Sequence, residues 1–178
     1  MEEKNIVFLD IDGVVNTLQI NDKPFENDKG VIYKDNFYFK INSASDGEVS
    51  NRQAILWLNK LCLETDAKIV ISSTWRMYGN YDNAVTALYN SGLNKNIEII
   101  GMTPTDGFSC PRLGYWQTRG TEIKNWLLQN ENKVSNYVIL DDDNDMEDLS
   151  SHLVQCNTYH GLGCLEYMKA KEVLIDFN

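Results

Sequence analysis

Five short apolar runs, each rich in Ile, Val or Leu, recur along this chain of 178 residues, with amphipathic stretches between them. They span residues 4–10 (KNIVFLD), 68–72 (KIVIS), 97–101 (IEIIG), 137–141 (YVILD) and, more weakly, 153–156 (LVQC). The runs are continuous rather than alternating, so they read as strands buried on both faces, as in a parallel sheet. Between them, apolar residues return at helical spacing. Ile55, Leu58, Leu61 and Cys62 share one face over residues 50–64, with Ser50 or Asn51 as the cap. A second helix over residues 81–91 stops at Gly92, and Ile123, Trp126 and Leu127 mark a third over residues 121–129. A last helix is expected over residues 165–173. Strands alternating with helices predict an α/β fold: a doubly wound, mainly parallel, Rossmann-like sheet of about five strands, with helices on both faces. Residues 16–41 break that rhythm. Within them, residues 31–41 (VIYKDNFYFKI) alternate loosely and suit a hairpin, so a small hairpin-like insertion is expected near residues 16–41. No repeat, low-complexity tract or linker appears, so a single domain over residues 1–178 is expected.

Composition narrows the function classes. With 43% apolar residues the chain can bury a sizeable core. Its 26 acids against 16 bases leave a formal charge of −10, which argues against a broad basic surface for nucleic acid but not against a small positive site. No run of 18 apolar residues occurs, and Met1-Glu2-Glu3-Lys4 does not resemble a cleavable leader, so a cytoplasmic protein without a membrane partner is expected. Cys62, Cys110, Cys156 and Cys164 form no CxxC pair and read as reduced thiols. Cys156, His160 and Cys164 are spaced four apart, but Gly161 and Gly163 interrupt any helix there, so a zinc site is disfavoured.

In an open α/β sheet, ligands bind at the carboxyl ends of the strands where strand order reverses. The first run ends there in Asp10-Ile11-Asp12-Gly13, and the fourth in Asp141-Asp142-Asp143-Asn144-Asp145, with Glu147 and Asp148 beyond. Packing these acids together without a counter-ion is strongly repulsive; a hard divalent cation resolves the repulsion, and carboxylate oxygens with room for water favour Mg²⁺. A calcium-loop pattern fails, because Met146 stands where glycine is needed and His152 where glutamate is needed. The second run ends in Ser72-Ser73-Thr74-Trp75-Arg76, and Arg119 precedes the helix feeding the fourth run. A carboxylate nucleophile, a metal, a hydroxyl and a guanidinium describe a phosphoryl-transfer site. These segments hold eight of the 26 acids, and the remaining acids nearly balance the bases. The net charge therefore says more about a metal than about a surface.

Plainer readings compete at each position. Asp10 and Asp12 also suit a simple turn after a strand, and residues 141–148 a solvated acidic loop. Ser72, Ser73 and Thr74 are not separated by pattern, although Ser72 directly ends its run. Arg76 is either a substrate contact or a helix cation paired with an acid. Trp75 is a candidate substrate contact too. It, Trp116 and the aromatics Tyr33, Phe37, Tyr38 and Phe39 either stack a base or sugar or, more commonly, pack the interior. Trp57 and Trp126 fall on apolar helix faces and read as core; His152 and His160 read as structural. Arg119 sits at a helix start, a poor place for a cation electrostatically, which favours a functional role.

Taken in order, these segments resemble the haloacid dehalogenase (HAD) superfamily of phosphohydrolases. Phe8-Leu9-Asp10-Ile11-Asp12-Gly13 matches its strand-plus-DxDG motif, and Ile69-Val70-Ile71-Ser72 its strand ending in Ser or Thr. Arg119, or otherwise Lys124, matches its basic residue, and Ile139-Leu140-Asp141-Asp142 its paired acids. The blocks FLDIDGVVN, KIVISSTWR, RGTEIKNWL and YVILDDDND are further similar to the small HAD domains of the Swiss-army-knife RNA repair group. The resemblance implies an aspartyl-phosphate mechanism, with Asp10 as nucleophile and Asp12 as acid and then base. It implies Mg²⁺ held by Asp10, the Asp12 main-chain carbonyl and Asp142, with Asp141 and Asp145 orienting ligands. It also implies that Ser72 (or Ser73) and Arg119 hold the phosphoryl oxygens, while Asp12 disfavours dehalogenase chemistry. The segments available for a substrate-selecting cap are short, which implies an open site.

The expected function is thus a Mg²⁺-dependent phosphomonoesterase acting on a nucleotide or nucleic-acid terminal phosphate. The alternatives are a small-metabolite phosphatase and, in another class, a non-catalytic phosphate-binding or scaffold module.

Overall fold

The computed structural model describes residues 3–17, 19–21, 25–26, 32–33, 38–40, 47–79, 81–104 and 118–175. Strand β1 (Lys4–Leu9) opens the chain, followed by four short strands, β2 (Gln19–Asn21), β3 (Phe25–Glu26), β4 (Ile32–Tyr33) and β5 (Tyr38–Lys40). Helix α1 (Arg52–Thr65) leads to β6 (Lys68–Ile71), a 3₁₀ segment (Thr74–Gly79), α2 (Tyr81–Asn90) and β7 (Ile99–Met102). Then come α3 (Arg119–Asn130), β8 (Val134–Asp141), a second 3₁₀ segment (Glu147–His152), β9 (Leu153–Gln155) and α4 (Cys164–Ile175). Of the two caps the sequence offers for α1, Asn51 is the one used: its side chain accepts the Ala54 N–H at 3.0 Å.

Strands β7, β6, β1, β8 and β9, in that spatial order, form one parallel sheet. The chain moves outward from β1 through β6 to β7, then returns to the other flank of β1 for β8 and β9. The switch point therefore lies between β1 and β8. The continuous apolar runs have the predicted cause, because both faces of the sheet are covered. Val7 and Leu9 of β1 enter a core shared with Leu58 and Leu61 of α1, Leu88 of α2 and Ala170 of α4. Ile6 and Phe8 enter the opposite core with Ile123 and Trp126 of α3 and Leu149. Phe8 is fully buried there, with the rings of Trp126 and Tyr137 set edge-on at 5.3 Å and 5.8 Å between centroids.

The insertion near residues 16–41 is hairpin-like, as expected, although the two strands within residues 31–41 do not pair with one another. Instead, β5 joins β2 and β4 joins β3, both antiparallel, giving two nested ribbons. Each partner lies upstream, a pairing that local alternation does not encode. Helix α3 starts two residues earlier than the apolar pattern indicates, because Thr118 caps it by accepting the Thr121 N–H. Trp116, Phe37, Cys110 and the connection over residues 105–117 lie outside the described residues, as do the side chains of Tyr33, Tyr38 and Phe39. Among the described residues, no helix is long and apolar enough to cross a membrane.

Candidate active site

The sheet register places the chemistry. Leu9 aligns with Ile71 on one side and Leu140 on the other. The next residues, Asp10, Ser72 and Asp141, stand side by side at the sheet's carboxyl edge, Asp141 as the last residue of β8. Two hydrogen bonds continue the ladder through them: the Asp10 N–H donates to the Leu140 carbonyl at 2.9 Å and the Ser72 N–H to the Leu9 carbonyl at 2.8 Å. Asp10 and Asp141 are thereby buried, beside the switch point.

Asp10, Asp141 and Asp142 each offer an oxygen within 4.8 Å of the others. Close approach depends on Gly13, which takes φ +75° as the chain turns after Asp12; a Cβ there would fall 2.2 Å from Asp142 Cγ. Thr158 holds Asp142 from behind, its Oγ1 donating to Oδ2 at 2.7 Å. Burial pushes the Asp10 carboxyl well above the usual carboxylate range, Asp141 pushes it further, and Arg119 and a hydrogen bond with Ser73 act against both. Burial likewise raises Asp141 to about 6, against the opposing pull of the Asp143 N–H and of Arg119. Asp141 Oδ2 is buried without a hydrogen-bond partner. Three converging carboxylates, one of them with a buried oxygen that accepts no hydrogen bond, fit a small divalent cation.

The basic and hydroxyl groups separate cleanly. The Arg119 Nε lies 3.6 Å from Asp141 Oδ2, so this guanidinium faces the carboxylates, 16% exposed. Lys124, the other candidate cation, instead pairs with Glu147 at 3.3 Å and with Asp148. Arg76 is not free for a substrate. Its guanidinium, 1% exposed, donates to the carbonyls of Ser73 and Thr103 and pairs with Glu122 at 2.5 Å. Of the two expectations for it, pairing with an acid is what the geometry displays. Glu122 Oε2 also receives Arg119 Nη1 at 3.0 Å, so one buried carboxylate anchors both guanidiniums. Both serines are buried: Ser73 bonds Asp10, whereas the Ser72 Oγ has no partner.

Asp12 stands apart from the carboxylate trio. Its Oδ1 accepts the Asn16 amide at 2.6 Å and its Oδ2 the Trp75 indole N–H at 3.0 Å. Trp75 is 6% exposed, its ring part of the core, so it does not offer a face for stacking a base. Burial raises the Asp12 carboxyl, opposed by these two donors. Asp145, expected beside the metal, accepts the Arg119 N–H at 3.0 Å and so holds the start of α3. Glu122, Thr158 and Asn16 were not flagged by the sequence. Glu122 had a local signal, lying one helical turn after Arg119; Thr158 had none.

Cys62 and Cys156 are buried free thiols and Cys164 is exposed; burial pushes the Cys62 thiol up to about 12. No metal-ligating cluster other than the aspartate trio occurs among the described residues, so the zinc pattern around His160 has no counterpart there.

Residues 6–164 match the family described as the HAD domain in Swiss Army Knife RNA repair proteins, and the chain belongs to that family. No curated protein matches the chain. Membership makes it a hydrolase.

Two outcomes follow from this geometry. Arg76→Ala leaves Glu122 buried with half its compensation and should cost roughly 3–5 kcal/mol in urea unfolding. Unchanged stability with a raised KM would make Arg76 a substrate contact instead. The second concerns pH. Both Asp10 and Asp141 are raised above their ordinary values, so their contribution favours folding in mild acid; the Asp141 share is lost as pH rises through about 6, and the Asp10 share as pH rises through its own raised value. A cation displaces those protons, so its binding tightens over the same range. Calorimetry should show a larger Mg²⁺-induced rise in Tm at pH 7.5 than at pH 5, and equal rises would contradict the assignment.

Proposed function

We propose that this protein is a Mg²⁺-dependent phosphomonoesterase that works through an aspartyl-phosphate on Asp10 and removes the terminal phosphate of a nucleotide or nucleic-acid end. The observation that carries the reading is the convergence of Asp10, Asp141 and Asp142 at the switch point, with Asp12 held separately beside them. A phosphate-binding module has no need of two carboxylates in separate settings, one among like charges and the other clamped by neutral donors.

Asp10, Asp141 and Asp142, with the Asp12 main-chain carbonyl, would hold the cation. When bound, it offsets the mutual repulsion of the carboxylates and the charge of the phosphoryl group. The ionised Asp10 attacks phosphorus, forming a P–O bond as the ester P–O bond breaks. Asp12 gives its proton to the departing oxygen. A water molecule then loses a proton to Asp12 and attacks phosphorus, the bond to Asp10 breaks, and inorganic phosphate leaves. Arg119 and the hydroxyl of Ser72 or Ser73 hold the phosphoryl oxygens as charge builds on them. The unpartnered Ser72 Oγ supports Ser72 for that contact, and the engaged Ser73 supports a role in fixing Asp10.

For the substrate class, support comes from the family, whose description places these domains in RNA repair proteins. The charge of −10 is no obstacle, because a terminal phosphate needs few basic contacts. The test is a substrate panel with purified protein and Mg²⁺: oligonucleotides carrying 3′- or 5′-phosphates, nucleotides and sugar phosphates. Oligonucleotide ends or nucleotides should be dephosphorylated, and Asp10→Asn should lower turnover by at least about 10³-fold. Exclusive turnover of a small sugar phosphate would overturn the substrate assignment. Full activity of Asp10→Asn would overturn the mechanism.

A further inference from the structure

The side chains around Asp12 do more than fill space. Asp12 projects from a tight turn and is not part of the aspartate trio, so something must fix its rotamer for proton transfer to a leaving group. Two donors do so, one on each oxygen: Asn16 Nδ2 on Oδ1 at 2.6 Å and Trp75 Nε1 on Oδ2 at 3.0 Å. Each donor is itself held. The Asn16 amide is oriented by its Oδ1, which accepts the Ser50 N–H at 3.1 Å. Trp75 lies in the 3₁₀ turn that follows β6, and that turn is tied down by Arg76, whose guanidinium binds the Ser73 and Thr103 carbonyls and Glu122. An indole only donates, so its bond fixes which way Oδ2 faces in either protonation state of Asp12. One donor on each oxygen still leaves each a lone pair for a substrate proton.

We infer that Trp75 is a positioning residue: its indole N–H, with Asn16 opposite, locks the Asp12 carboxyl in the orientation from which it protonates the leaving oxygen. The inference rests on the reading of Asp12 as general acid. It makes the buried charge network of Arg76 and Glu122 part of the same device, because that network sets the turn from which the indole reaches across to β1. Trp75 was a candidate for direct substrate contact, and this role replaces it.

Leaving-group dependence tests the idea, because a good leaving group needs little help from an acid. The measured quantity is kcat/KM, which reports steps through phosphoryl transfer to Asp10, on p-nitrophenyl phosphate and on an alkyl phosphate such as a nucleoside monophosphate. Trp75→Phe removes the donor and keeps an aromatic ring. Benzothienylalanine at position 75 also removes it while preserving ring shape, should the smaller ring fail to fold. Either change should lower kcat/KM for the alkyl ester about 10-fold or more and for the aryl ester by less than about 2-fold, a fraction of what a general acid supplies. Equal losses on both esters, or none with the benzothienyl side chain, would overturn the inference. Asp12→Asn is the control that separates it from its premise. If Asp12→Asn discriminates between the esters and the position-75 variants do not, Trp75 has no positioning role. If Asp12→Asn does not discriminate, Asp12 is not the acid and both readings fall.

Discussion

Mutual repulsion among Asp10, Asp141 and Asp142 is the constraint around which this fold is arranged. Left in water the three would separate; the parallel register of β1 with β8 forces two of them into adjacent buried positions, and Gly13 lets the third approach. The energy to hold them comes from elsewhere in the molecule. Two apolar cores clamp the sheet, and residues of β1 alternate between them, so Asp10 cannot retreat without dragging Val7, Phe8 and Leu9 out of register. The raised titration of Asp10 and Asp141 comes first from their burial, with the neighbouring carboxylates adding to it. Such shifts are common at sites that must bind an ion tightly while leaving one carboxylate able to react.

Around the trio lies a second, neutralised layer. Glu122 accepts both Arg119 and Arg76, so a guanidinium that faces the carboxylates is braced by one that faces the protein. Asp145 and Thr118 fix the start of α3, and Gly120 lets it pass close to the backbone at Met146, where a Cβ would come within 2.5 Å of the Met146 carbonyl. Arg119 thus meets the carboxylates from a helix whose own position is tied to the β8 loop. The guanidinium that faces the carboxylates is held by a buried partner and not carried on a free surface side chain.

Most of the fold was legible in the sequence because its main signal is local. Continuous Ile/Val runs describe doubly covered strands, and each run ended within three residues of where its strand ends. The acids at the ends of the first and fourth runs were legible for the same reason, since strand ends determine which residues meet. What escaped was non-local. Which strands pair within the hairpin-like insertion depends on partners outside each local stretch, the fate of Arg76 on a glutamate 46 residues away, and the support of Asp142 on Thr158. The choice between Arg119 and Lys124 needed only helix phase, because their spacing of five residues turns them to different sides of α3. The partnering of Ser72 and Ser73 is fixed by side-chain direction at the strand end, which no pattern of residue types records.

Covalent capture tests the central claim most directly. Purified protein in excess over a ³²P-labelled phosphate ester, with Mg²⁺, is quenched in acid within the first turnover and digested for mass spectrometry. The account predicts a base-labile, hydroxylamine-sensitive phosphate on the peptide carrying Asp10, and none when a chelator replaces Mg²⁺. Turnover with the label on another residue, or undiminished turnover in chelator, would contradict it.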